Sequence, residues 1–170
     1  MPLSKYLHFY PELGERVYIA PGAQVVGQAF FADDVSIWHN AVVRADVNQI
    51  VIGAGVNVQD LSMLHVTEIN DLIIGEGTSI GHSVVMHGCH IGKNCLIGMG
   101  SIILDGAIIG NNCVVAAGSL VAPGKKYPDG SMIRGRPAEL IRPLTEDEKH
   151  KYGNHFQAYL KYKETYLKYV

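Results

Sequence analysis

The segment GHSVVMHGCHIG sets His82, His87 and His90 within nine residues, and His65 stands upstream in NVQDLSMLHVTE. Neutral imidazoles are the commonest protein ligands of zinc. Three of them converging on one cation with a position left open make a catalytic zinc site, in which bound water falls to a pKa of about 7. The H-x4-H spacing of His82 and His87 is by itself a weak signal, and surface histidines at a polar interface satisfy it too. What decides is the elements that carry the rings.

Those elements are written in sixes. Branched or long apolar residues recur at Ile19, Val25, Phe31, Ile37 and Val43, then at Ile52, Val58 and Leu64, then at Ile74, Ile80 and Met86, and then from Ile91 through Ile97, Ile103, Ile109 and Val115 to Val121. Four residues after most of these anchors comes a small or β-branched residue, such as Ala23, Ala29, Ser62, Thr78, Cys95, Ala107 or Cys113. Glycine follows the anchor at Gly53, Gly75, Gly81, Gly92, Gly98 and Gly110, which suits corners between short strands and weakens a helix. Strands of an ordinary sandwich recur every 8 to 12 residues. A period of six is that of a hexapeptide β-solenoid. Three steps are irregular: Val43 to Ile52 and Leu64 to Ile74 are long and read as small loops, and Met86 to Ile91 is one residue short.

If three hexads close one triangular coil, residues three anchors apart stack on one wall, about 4.8 Å from strand to strand. The residue directly after an anchor points outward by strand alternation. His65 after Leu64 and His87 after Met86 therefore share an outer wall in adjacent coils, with Arg44 one coil earlier. His82, two after Ile80, and Gln59, after Val58, belong to a second wall. Within one chain His82 diverges from the other pair around a corner. A neighbouring copy could supply it where two walls meet, and a cyclic trimer would suit a three-walled rod. His90 has no counterpart one coil away and reads as incidental, as do His8, His39, His150 and His155. Cys95 and Cys113 fill small interior slots, and Cys89 beside His87 is kept as a possible neighbour of the metal.

From Thr145 the period becomes helical, with TEDE as a capping box. Tyr152, Phe156, Tyr159, Lys163 and Tyr166 then follow at threes and fours, an apolar stripe for packing on the solenoid or for lining a site. The segment IRGRPAELIRPLT reads as a connector. The expectation is one domain with a solenoid over 1–144 and a C-terminal helix over 145–170 packed on it.

Composition narrows the partners. A net charge of -2 and a sequence pI near 6.4 offer no basic field for nucleic acid. No apolar run reaches membrane-spanning length, and the N-terminal MPLSKYLHFYPELGERV lacks an apolar signal core. Three cysteines, an odd number without a CxxC pair, fit a reduced, cytoplasmic setting.

In VVRADVNQIVIG, NVQDLSMLHVTE and GHSVVMHGCHIG the sequence resembles the gamma-class carbonic anhydrase family of hexapeptide-repeat proteins, over about residues 10 to 142. The resemblance implies a mainly β fold, a left-handed parallel β-helix with a C-terminal α-helix, assembled as a homotrimer with metal at each subunit interface on His65, His82 and His87. Handedness comes from the resemblance alone. It also implies that Arg44 and Asp46 of RAD pair at the trimer interface and shape the site, that Gln59 of NVQD orients the metal-bound water or the substrate, and that Asp60 is structural. The family's best-established enzymes carry Glu where Val47 stands and a long acidic loop after the first metal histidine. Here Glu68 sits in the short VTEINDL, where it would shuttle protons.

The function so implied is reversible hydration of CO2 to bicarbonate by metal-bound hydroxide, with Zn2+ as cofactor and Fe2+ or Co2+ equally suited to imidazole. Three alternatives remain on the same fold: a metal-dependent thioesterase or other hydrolase, a hexapeptide acyltransferase, and a scaffold that keeps the metal as a clasp.

Overall fold

A computed structural model describes residues 2–169; the ends of the two expected segments, Met1 and Val170, lie outside them. The chain is a mainly β, parallel solenoid of about seven turns. Every anchor from Val25 to Val121 is buried, and only Ile19, in the first coil, is partly open. The small residues four positions on are buried as well, from Ala23 through Cys95 to Ser119. Full burial of a Leu or Ile side chain contributes roughly 1.5 to 3 kcal/mol. The repeated anchor thus carries the coil stack.

The register is the one the sixes require. Val43 pairs with Leu64, Leu64 with Met86, and Met86 with Ile103, which builds the first wall. Ile37, Val58, Ile80, Ile97 and Val115 stack into the second. Ile52, Ile74, Ile91 and Ile109 stack into the third.

One of the two expected loops is absent. The long step from Val43 to Ile52 is a single strand, Val42–Ile52, whose front half pairs with Met63–His65 and whose back half pairs with Leu72–Ile74. It turns a corner without breaking, so the first and third walls belong to one sheet. Its neighbour Gln24–Phe31 turns with it through a register shift between Gly27 and Ala29. Gly27 has φ +78, and a Cβ there would lie 2.2 Å from the Ala45 carbonyl oxygen, so only glycine admits the close approach. The other long step is a loop, closed by Thr67 N–H to the Asn70 carbonyl at 3.0 Å and by Asn70 N–H to Thr67 Oγ1 at 2.9 Å.

The expected connector is also more ordered than its sequence suggests, because Ser131–Gly135 and Ala138–Pro143 fold back as an antiparallel hairpin. The helix that follows comes in two pieces, α1 (Glu146–Gly153) and α2 (Phe156–Tyr169). The capping box forms as read, with Glu148 N–H on Thr145 Oγ1 and Thr145 N–H on Glu148 Oε2. The interruption falls where Gly153 is wedged against Asn94 of the solenoid, and the Asn154 N–H caps α1.

The aromatic stripe packs on the solenoid. Phe156 lies over Gly55 and Gly77, and Tyr159 and Tyr166 meet Trp38 edge-on. Lys163, 2% exposed, donates to Asp34 Oδ1 at 2.5 Å and to the Arg16 carbonyl at 3.0 Å. Hydrogen bonds from Arg16, with help from Lys163, outweigh the burial of Asp34 and hold its carboxyl at about 2. A depressed carboxylate contributes stability that is complete above its ordinary range and is lost as pH falls through its folded value. The Arg16–Asp34–Lys163 cluster should therefore lose about 1 to 2 kcal/mol between pH 4 and pH 2, discounted for the partial exposure of Asp34, the larger part from the Arg16 contact within the solenoid and the smaller, Lys163, part from helix docking. Emission from Trp38, beneath α2, reports it. In Asp34→Asn that acid step should vanish; an unchanged step would assign it elsewhere.

Candidate metal centre

Arg44, His65 and His87 stand side by side on the first wall, in register across three coils. The unbroken strand brings Asp46 back beside them. Arg44 Nη1 donates to Asp46 Oδ2, and His65 Nε2 lies 3.0 Å from Asp46 Oδ1. Burial opposes the ionisation of Asp46, but the hydrogen bonds from His65 and Arg44, together with Arg44's charge, hold its carboxyl below the ordinary value. On the far side, His87 Nδ1 lies 2.5 Å from Asp105 Oδ1.

The two rings face one another, with His65 Nδ1 2.9 Å from His87 Nε2. A carboxylate only accepts, so the outer nitrogens on Asp46 and Asp105 carry the N–H groups, an assignment made from their partners. The inner nitrogens are then two lone pairs at hydrogen-bond distance. Such a pair repels unless a cation stands between them, either a proton on one ring or a metal on both. Two nitrogens of a tetrahedral zinc site lie about 3.3 Å apart, a few tenths of an ångström from the separation here. The donor set fits a metal.

His82 stands elsewhere, as its wall requires. Val58 and Ile80 are paired, which sets Asp60 opposite His82, and His82 Nδ1 lies 2.8 Å from Asp60 Oδ2. Its side chain is 43% exposed, against 14% for His65, and its Nε2 is left for a further partner. Among the described residues of one chain, no three His, Cys, Asp or Glu side chains gather in a metal-binding group. His82 is not joined to the first-wall pair within the chain.

The other expected site residues are dispersed. Gln59 lies on the outer surface of the second wall but is only 3% exposed, and its Nε2 donates to Asn57 Oδ1 at 3.0 Å. It borders a cleft of about 260 Å³ together with His82, His155 and Tyr159. Glu68 is exposed; its carbonyl and that of Thr67 accept from Asn48 Nδ2, which ties the loop to the corner strand. Val47, where a glutamate was the expectation from the family, is 46% exposed beside that loop.

Three readings of single residues change. Cys89 points into the core at 0% exposure, away from the outward-facing imidazoles, and burial pushes its thiol up to about 12. His90 stays outside the metal pair but does have a partner: its Nε2 lies 2.6 Å from Asp71 Oδ1 on the third wall. His39 approaches Asp60 at 3.4 Å, so that carboxylate serves two rings. Asp105 was missed altogether. The spacing rule followed the residue directly after each anchor, whereas Asp105 stands two after Ile103, at the offset that His82 has from Ile80.

Comparison with known proteins places the chain in a family. The family described as Bacterial transferase hexapeptide (six repeats) matches residues 71–105 and 88–123. Protein YrdA of Escherichia coli is 46% identical, over 97% of this chain and 94% of its own. A protein of Methanocaldococcus jannaschii named a probable carbonic anhydrase is 46% identical, over 90% of this chain and 96% of its own. A solved Bacillus cereus structure, provisionally named an acetyltransferase, superposes with a TM-score of 0.96 at 39% identity, covering 99% of this chain and 98% of that one. With the hexapeptide solenoid on one side and relatives of this identity and coverage on the other, the chain belongs to the gamma-class carbonic anhydrase family of hexapeptide-repeat proteins.

Proposed function

We propose that this protein is a carbonic anhydrase, hydrating CO2 reversibly to bicarbonate at metal centres shared between the copies of a cytoplasmic homotrimer with the left-handed coil of its family. One observation carries the reading: each of the three imidazoles has one ring nitrogen on a carboxylate, His65 on Asp46, His82 on Asp60 and His87 on Asp105. That arrangement fixes the tautomer and aims the opposite nitrogen, as it does for metal-ligating histidines generally. His65 and His87 of one copy and His82 of the next would hold the ion. Zinc, iron or cobalt bound there supplies Lewis acidity and brings the pKa of bound water down to about 7.

The rest falls to side chains of this chain. Arg44 neutralises Asp46 and keeps that carboxylate directed at His65 Nε2. Gln59, anchored on Asn57, presents a carboxamide beside His82 to orient the reactants. Glu68, exposed on its loop, passes the released proton to buffer. With Val47 in place of a second acid, that transfer leans on Glu68. Glu68→Gln should then lower turnover in weak buffer by about tenfold or more, with recovery in concentrated imidazole.

The experiment is stopped-flow CO2 hydration by zinc- and iron-loaded protein. A rate well above buffer in either form is the expected result, and none in both would end the proposal. A second reading, acyl transfer or thioester hydrolysis, draws on the likeness to the Bacillus cereus protein. Acyl-CoA turnover that disappears in His82→Ala, with no CO2 hydration, would favour it.

A further inference from the structure

Between α2 and the second wall lies a cleft of about 380 Å³, lined by Trp38, His39, Asp60, Tyr159, Tyr162 and Tyr166 together with Thr165. Trp38, Tyr159 and Tyr166 also dock α2, and Asp60 also faces His82, but neither role accounts for an open cleft between them. Its aromatic rings are set at steep angles to one another. Trp38 meets Tyr166 at 90° and 5.2 Å between centroids, and Tyr159 at 79° and 5.5 Å. Tyr159 in turn meets Tyr162 at 76° and 5.5 Å, and His39 meets Tyr166 at 63° and 5.9 Å. Tyr159, Tyr162 and Tyr166 come from one face of α2, while Trp38 forms the floor at 5% exposure.

Tight packing alone would cover such a face, yet Tyr162 is 54% exposed at the rim. The charges point one way. Asp60 is the carboxylate in the lining, and among the described residues no Lys or Arg lines the cleft. Of the two lysines that flank Tyr162 in sequence, Lys163 is turned away and spent on Asp34 and the Arg16 carbonyl, and Lys161 is not among the lining residues. Burial, with the charge of Asp60 adding to it, pushes the Tyr159 phenol up to about 12, so the ring stays neutral and its face electron-rich at working pH. Trp38 with Tyr159 and Tyr166 is edge-to-face packing, and the exposed rings at the cleft are Tyr162 and Tyr166. Aromatic rings lining a cleft with one anionic edge are the receptor chemistry of alkylated ammonium ions, which pair with ring faces and need no hydrogen-bond donor or acceptor.

We propose that this cleft is a binding site for a quaternary ammonium group on a small soluble molecule, held on Trp38, Tyr159, Tyr162 and Tyr166 with Asp60 as counter-charge. The site adjoins His82 through Asp60, so an occupant lies beside the candidate metal centre, but its binding stands apart from the hydration reading and is measured without it.

Trp38 is the sole tryptophan of the chain and sits in the floor, which makes the test direct. Choline chloride and tetramethylammonium chloride are titrated into the intact protein at constant ionic strength, with sodium chloride as blank, and Trp38 emission is read. Saturable change with choline is expected. 3,3-Dimethylbutanol, the neutral isostere of choline, should bind at least about tenfold more weakly, because it keeps the shape and loses the charge. Tyr162→Phe should retain the affinity, and Tyr162→Leu, which keeps apolar bulk but removes the ring, should lose roughly five- to thirtyfold. Tyr162 lies at the exposed rim, and circular dichroism confirms that both variants keep α2. No saturable response, equal binding of the neutral isostere, or an unchanged dissociation constant in Tyr162→Leu would each overturn the proposal.

Discussion

Mixing His65→Ala chains with His82→Ala chains should restore activity that neither variant has alone. Each homogeneous variant is expected to hydrate CO2 at the buffer rate and to bind metal weakly, since each lacks one imidazole at every site. In a cyclic trimer a site takes His65 and His87 from one copy and His82 from the next. It is whole where the first copy is the His82→Ala chain and the second is the His65→Ala chain. Random assembly from equal amounts, by co-expression or joint refolding, makes about a quarter of the interfaces complete. Metal content and hydration rate should both recover to about that fraction. If all three ligands came from one chain, no chain in the mixture would hold a full set and nothing would recover. If His82 were only a surface residue paired with Asp60, His82→Ala alone would be active. The outcomes are distinct because His65 and His87 share a wall and His82 stands on another.

How much of this could be read beforehand follows from what the spacing encodes. A six-residue period with inward anchors fixes which wall a residue occupies, so the alignment of Arg44, His65 and His87 and the divergence of His82 were legible before any coordinates. Side chains near the corners were harder. Asp46 reaches His65 because the strand Val42–Ile52 continues around the corner, and an unbroken strand and a loop of the same length look alike when only anchors are counted. Gly27 was the available signal, since a glycine off the anchor rhythm marks a close backbone approach. The burial of Gln59 depends on α2 lying over the second wall, a tertiary contact that no local pattern specifies. The part of the stripe that falls on α2, Phe156, Tyr159, Lys163 and Tyr166, did forecast the packing, because four residues on one helical face have to be covered by something.

The carboxylate behind each imidazole yields the second large effect. Asp105→Ala should weaken metal binding by about 10- to 100-fold, the usual cost of removing an outer partner of a ligating histidine. Without Asp105 the Nδ1–H of His87 turns to water, the ring is free to rotate, and Nε2 is no longer directed at His65. Asp105→Asn separates orientation from charge: its Oδ1 still accepts from Nδ1–H, so a loss in Asn well short of that in Ala assigns the effect mainly to orientation. The control is built into the third wall. His90 and Asp71 form a like pair at 2.6 Å on a different face, so Asp71→Asn should leave metal affinity unchanged. Competition against a chromophoric chelator measures all three variants without reference to turnover. If Asp105→Ala binds metal as tightly as the parent, the His87–Asp105 contact belongs to the coil stack rather than to the centre, and the carboxylate pattern loses its strongest member.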